Sequence, residues 1–106
     1  MTLGADPLVT ATSVISWTRE RPVAAFIVRK SPKGHGTNQY IEGLANLRPG
    51  RPRWPCWKTW VTTGGSLLTA CERVRDAGFN IAAVCTVLDR EEGGSDAIEA
   101  AGYKLR

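Results

Sequence analysis

Two kinds of apolar pattern alternate along this chain. After Asp6-Pro7, the residues Leu8, Ala11, Val14 and Ile15 recur at helical spacing. Asp6 suits the N-cap of that helix and Pro7 its first position. Arg21-Pro22 closes it, because a proline disfavours the helical conformation of the residue before it. Residues 23–28 (Val-Ala-Ala-Phe-Ile-Val) form a short unbroken apolar run, the pattern of a strand buried on both faces of a parallel sheet. Residues 67–77 read as a second helix, ending at Gly78 in a left-handed cap. Residues 81–88 read as a second buried strand. Residues 89–94 are a loop, residues 96–101 a short helix closed by Gly102, and Tyr103-Lys104-Leu105 begins a final strand. Residues 29–50 are polar and rich in Gly and Pro, and a loop of that length in a compact domain is usually functional or disordered. By position, residues 53–60 are the strand between them. Helices alternating with buried strands predict an α/β fold with a parallel sheet flanked by helices. Ligands then belong at the carboxyl ends of the strands, in the loops that start near Arg29, Val61 and Asp89.

Length and composition limit the classes of function. The 106 residues suit one small domain with one modest core. No apolar run approaches the roughly 18 residues of a membrane span. The opening residues lack the basic and apolar stretches of a secretory signal. Cys56, Cys71 and Cys85 are widely spaced and odd in number, which predicts reduced thiols in a cytoplasmic protein. The net charge of +4 suggests an anionic partner, either nucleic acid or a phosphorylated small molecule.

Three loops offer chemistry for such a partner. Arg29-Lys30-Ser31-Pro32-Lys33-Gly34-His35-Gly36-Thr37 holds four basic side chains, including the only histidine, among glycines. Its composition suits a solvated basic loop. It equally suits an anion-binding flap, with cations on phosphate oxygens and His35 able to move a proton near neutral pH. Val61-Thr62-Thr63-Gly64-Gly65-Ser66 leads into a helix. Free backbone N–H groups, two residues without Cβ and the helix dipole make it a phosphate cradle, although Ser66 could serve merely as a helix cap. Leu88-Asp89-Arg90-Glu91-Glu92-Gly93-Gly94 reads either as a charged surface turn or as a strand end whose Arg90 holds a planar carboxylate or imide.

In this order, and together with the turn Thr2-Leu3-Gly4-Ala5-Asp6-Pro7, these motifs resemble orotate phosphoribosyltransferase, of the type I phosphoribosyltransferase family. The resemblance covers nearly the whole chain. It implies a fold in which residues 1–106 are a partial core domain, with the N-terminal hood and first strand missing. It implies transfer of phosphoribosyl from 5-phosphoribosyl 1-diphosphate to orotate, giving orotidine 5′-phosphate and diphosphate, in pyrimidine synthesis. Mg²⁺ would bridge the diphosphate and ribose oxygens, with no protein ligand of its own. Arg29, Lys30, Lys33 and His35 would form a catalytic flap that closes over the neighbouring subunit of a homodimer. Thr62, Thr63, Gly64, Gly65 and Ser66 would hold the 5′-phosphate, Arg90 the orotate, and Leu3, Gly4 and Ala5 the diphosphate. A non-catalytic or regulatory module binding phosphoribosyl ligands on the same fold is the alternative.

The chain departs from that pattern in two places. It begins at the diphosphate loop, the expected result of a truncated gene or an internal start. The family also has an apolar strand and two ribose-binding acids before the cradle, and here Lys58 and Thr59 occupy the acidic positions. Trp54-Pro55-Cys56-Trp57-Lys58-Thr59-Trp60 can be written TGG-CCC-TGT-TGG-AAG-ACG-TGG. Read one base earlier, with a G borrowed from the Arg53 codon, the same letters give Val-Ala-Leu-Leu-Glu-Asp-Val, an apolar strand ending in both acids. Two compensating single-base shifts therefore account for the segment, and sequencing the gene tests this. The shifted segment carries −2 and the present one +1, so restoring it lowers the chain's charge from +4 to +1. A basic patch interleaved with tryptophans resembles a single-stranded nucleic-acid site, but here the shift explains it, and no nucleic-acid or membrane partner is expected. Pro55 in a central strand and three indoles in place of small aliphatics predict a weakened strand with exposed apolar surface.

Overall fold

The computed structural model describes residues 4–32, 34, 40–43, 47 and 53–106. Leu3, Lys33 and His35, three of the expected site residues, lie outside the described residues. The elements in chain order are α1 (Asp6–Thr18), β1 (Ile27–Val28), β2 (Ile41–Glu42), β3 (Arg53–Val61), α2 (Gly65–Asp76), β4 (Asn80–Asp89) and α3 (Gly94–Ala100). The expected α/β class holds. β3 and β4 pair in parallel from Arg53↔Asn80 to Val61↔Asp89. On the other edge of β4, the Val84 and Thr86 amides donate to the Lys104 and Arg106 carbonyls at 2.8 and 2.9 Å, so the chain's last residues add a short parallel strand. β4 is thus central, with β3 beside it. It is not buried on both faces: Val84 is buried, while Val87 and Leu88 are exposed.

α2 covers one face of this sheet. Leu67, Ala70, Cys71 and Val74 are its buried side chains, spaced three and four residues apart on one stripe. Leu67 and Cys71 meet Val61, Val84 and Ile98 in the main core. A second cluster, Ile41, Trp54, Val74 and Phe79, lies at the amino end of β3.

The strand expected over residues 23–28 is the main correction. Only Ile27 and Val28 are extended in a ladder, and they pair antiparallel with β2, not within the parallel sheet. Residues 23–25 are exposed. The cause lies in β3, which forms over its full length despite Pro55 but has its register broken between Trp54 and Pro55. Trp54 is buried edge-on to Phe26, with ring centroids 5.4 Å apart, and also against Phe79. Phe26 is therefore held by an indole instead of by a backbone ladder. A cavity of about 80 Å³ separates the two segments, lined by Val9, Thr12, Ala25, Trp54, Cys56 and Trp57 among others. The Nε1 atoms of Trp54 and Trp57 are buried without a hydrogen-bond partner. The expected exposed apolar surface is confined to Trp60, which is 52% exposed.

α1 departs from expectation in two ways. Ala5, not Asp6, is its N-cap, with no side-chain cap, and Asp6 begins the helix. The Leu8–Ala11–Val14–Ile15 stripe does not face the core: Ala11, Val14 and Ile15 are exposed, as is Trp17. The half-buried face carries Val9, Thr12, Ser13 and Ser16. Its hydroxyls fasten residue 23, with Ser13 Oγ donating to the Val23 carbonyl at 2.9 Å and the Val23 amide donating to Ser16 Oγ at 2.8 Å. These bonds turn the helix so that its hydroxyl face lies inward.

All three cysteines are free thiols. Cys56 on β3 hydrogen-bonds Cys71 on α2. That contact, and then burial, hold the Cys56 thiol well above its usual range, while Cys71 ionises first. Burial, and then Cys56, raise Cys85. A thiol whose folded pKa is raised adds stability that is full below the ordinary value of 9.0 and is lost as pH climbs past it. Cys71 works in the opposite direction but is outnumbered. Chemical denaturation is therefore expected to show a weaker fold at high pH than at neutral pH. Cys56→Ala should reduce that difference.

Candidate functional site

The cradle forms where β3 ends and α2 begins. Gly64 is the N-cap of α2, with φ of 83°, and no side chain caps the helix. The capping alternative for Ser66 therefore falls away, because Ser66 lies inside the first turn. Gly65 and Ser66 are exposed, and the Leu67 and Leu68 amides close on the Gly64 carbonyl at 3.0 Å each, which leaves the amides ahead of them at the open end of the helix. An anion placed here meets backbone N–H groups and the positive end of the helix dipole.

The arginine turn is fastened to the cradle through the backbone. The Arg90 amide donates to the Val61 carbonyl at 3.0 Å. A Cβ on Gly94 would lie 2.2 Å from the Thr62 carbonyl, and one on Gly64 would lie 3.1 Å from the Gly94 carbonyl. Two backbones meet here where only glycine fits. In sequence Gly94 reads as part of a charged turn, since no local pattern marks a tertiary contact. The Arg90 side chain is 55% exposed and pairs with Glu92 at 3.0 Å, which points its guanidinium at solvent beside the cradle.

The N-terminal turn reaches the same place. Ala5 is buried, and the Cβ position of Gly4 lies 2.6 Å from Thr59 Oγ1. Gly4 and Ala5, two of the residues expected in the diphosphate loop, thus pack against the carboxyl end of β3. Lys58 donates through Nζ to Ser66 Oγ at 3.1 Å, reaching into the cradle itself. Burial, and then the Lys30 charge, lower the Lys58 pKa.

Arg29 is placed differently. Its guanidinium pairs with Glu42 across the β1–β2 ladder and braces the hairpin. Arg73, which no sequence pattern singled out, ties the base of the flap to α2. Its Nη1 donates to the Arg29 carbonyl at 2.5 Å, and its guanidinium lies 3.9 Å over the Tyr40 ring. The donors at the end of β3 are an ammonium and hydroxyls, and no group of three His, Cys, Asp or Glu converges among the described residues. That set does not fit a divalent cation held by the protein. Among the described residues, no helix is long and apolar enough to cross a membrane.

No family model matches the chain. An orotate phosphoribosyltransferase from Synechocystis sp. is 45% identical over 106 residues, covering 100% of this chain and 52% of the relative. Two crystal structures of the Mycobacterium tuberculosis H37Rv orotate phosphoribosyltransferase are each 41% identical over 99% of this chain. The complex with inorganic phosphate superposes with a TM-score of 0.78 over 54% of its length, and the complex with 5-phospho-alpha-D-ribosyl 1-diphosphate with 0.77 over 56%. The chain spans about half the length of the relatives it matches. In sequence and in fold it corresponds, from end to end, to about half of an orotate phosphoribosyltransferase.

Proposed function

We propose that the chain carries the phosphoribosyl-binding half of an orotate phosphoribosyltransferase site. The reaction is the transfer of phosphoribosyl from 5-phosphoribosyl 1-diphosphate to orotate, giving orotidine 5′-phosphate and diphosphate in pyrimidine synthesis. The observation that carries this reading is the cradle at the end of β3, with the Arg90 turn hydrogen-bonded to the residue before it. In this reading Thr62, Thr63, Gly64, Gly65 and Ser66 hold the 5′-phosphate. Arg90 takes the orotate carboxylate, and Gly4 and Ala5 bound the diphosphate. Lys30, with Lys33 and His35 of the same loop, stabilises charge that builds on the leaving diphosphate. Mg²⁺ would supply further charge neutralisation on that group. A cytoplasmic homodimer is part of the reading, supported by free thiols and by the outward stripe of Val14, Ile15 and Trp17.

Turnover by this chain is expected to be weak, since Lys58 and Thr59 stand where the resemblance places two acids. The test follows orotate depletion by absorbance, with 5-phosphoribosyl 1-diphosphate and Mg²⁺ present. Turnover should fall at least about 100-fold below that of a full-length relative, the usual loss when one transition-state contact is removed. A thermal shift with 5-phosphoribosyl 1-diphosphate should nevertheless show binding. Stabilisation with no turnover at all favours the second reading, a non-catalytic binding module, which the Lys58–Ser66 contact supports. Absence of both turnover and stabilisation overturns both readings.

A further inference from the structure

Lys58 brings a positive charge into the cradle from the strand side. Its ammonium carries three donors and no acceptor. One donor is on Ser66 Oγ at 3.1 Å, and that hydroxyl keeps its own hydrogen for another acceptor. Ser66 lies in the first turn of α2, where backbone amides and the dipole already favour an anion. Lys30 is close enough to act on Lys58 electrostatically. An ammonium, a hydroxyl and a helix terminus therefore converge at the cradle. Such a site favours an anionic group. An ammonium can only donate to a sugar hydroxyl, and it lacks the paired acceptor oxygens with which two carboxylates take both hydrogens of a vicinal diol. The neighbouring Thr59 hydroxyl faces the backbone of Gly4.

We propose that Lys58 is itself a phosphate-binding residue of this cradle, and that it sets the ligand class as phosphate monoesters recognised by charge, without selection for the vicinal diol of ribose. The proposal rests on the reading that residues 62–66 take a phosphate, and it adds a ligand on β3 that this reading does not need.

The test is calorimetric titration of the full chain with inorganic phosphate, ribose 5-phosphate and 2-deoxyribose 5-phosphate. The two sugar phosphates should bind within about threefold of each other, since losing one well-made hydroxyl contact costs more than that. Lys58→Met keeps the apolar stem and should weaken all three ligands alike, by roughly 10- to 100-fold, the usual worth of a hydrogen bond to a charged group. Lys58→Arg should restore binding. In K58E/T59D the two carboxylates should weaken inorganic phosphate and create a preference for the ribose ester. If Lys58→Met fails to fold, the ¹⁵N resonance of the wild-type ammonium serves instead, and it should move when phosphate is added. Phosphate binding that Lys58→Met leaves unchanged, or a resonance that stays still, overturns the proposal while the cradle reading stands. So does a tenfold or greater preference of the wild-type chain for ribose 5-phosphate. No binding of any of the three overturns both.

Discussion

Replacing residues 54–60 by Val-Ala-Leu-Leu-Glu-Asp-Val (W54V, P55A, C56L, W57L, K58E, T59D and W60V together) is expected to stabilise the fold by about 3 kcal/mol. Two buried indole N–H groups without acceptors destabilise the present chain by about 1–3 kcal/mol each. Pro55 withholds a ladder donor, and the wide indoles leave a cavity of about 80 Å³ between β3 and residues 23–28. Against these stands the burial of Trp54 between Phe26 and Phe79, worth about 2–3 kcal/mol. The net favours the smaller side chains. Residues 23–28 should then move into register with β3 and complete the sheet. Denaturant midpoints measure the gain, and amide exchange across residues 23–28 reports the new ladder. An unchanged midpoint with fast-exchanging amides would show that the indoles are not what separates the two segments.

The same segment explains what the sequence does and does not reveal. α2, β4 and α3 are legible because their signals are local. Apolar spacing draws the elements, and the glycines at 78 and 102 close the two helices with φ of 86° and 85°. The cradle is legible for the same reason, since Thr62 to Ser66 are consecutive. Residues 23–28 carry an equally clear strand signal, yet a strand needs an edge to pair with. Beside this run β3 carries Trp54 and Trp57, which line the cavity between the two segments and which the run itself does not encode. The orientation of α1 is likewise decided elsewhere. Ser13 and Ser16 find the Val23 backbone, and the apolar stripe faces outward as a result. No local pattern marks Arg73, and only the fold brings it to the carbonyls of Arg29 and Lys30. Lys58 was legible as a misplaced charge, but its reach to Ser66 depends on β3 and α2 meeting as they do.

Gly94→Ala is expected to remove at least about 3 kcal/mol, a large share of the roughly 5–15 kcal/mol that holds a domain of this size. The added methyl would lie 2.2 Å from the Thr62 carbonyl and 2.3 Å from Val61 Cγ1. One contact is backbone and the other is a fully buried core side chain, so neither can swing aside. Relief requires α3 to back away from the cradle. That motion would also strain the Arg90–Val61 hydrogen bond and uncover Ile98, which is completely buried. Two other glycines supply controls. Gly93 has φ of 83° but open space around its Cβ position, so Gly93→Ala should cost only about 1–2 kcal/mol of backbone strain. Gly34 has nothing within 4 Å, and Gly34→Ala should be nearly neutral. Denaturation midpoints should therefore rank Gly34→Ala highest, then Gly93→Ala, then Gly94→Ala. Phosphate binding should disappear only in the last, because the Thr62 carbonyl that clashes belongs to the loop that forms the cradle. A Gly94→Ala chain as stable as Gly93→Ala would mean that α3 is not braced against the cradle, and that α2 alone holds the loop in shape.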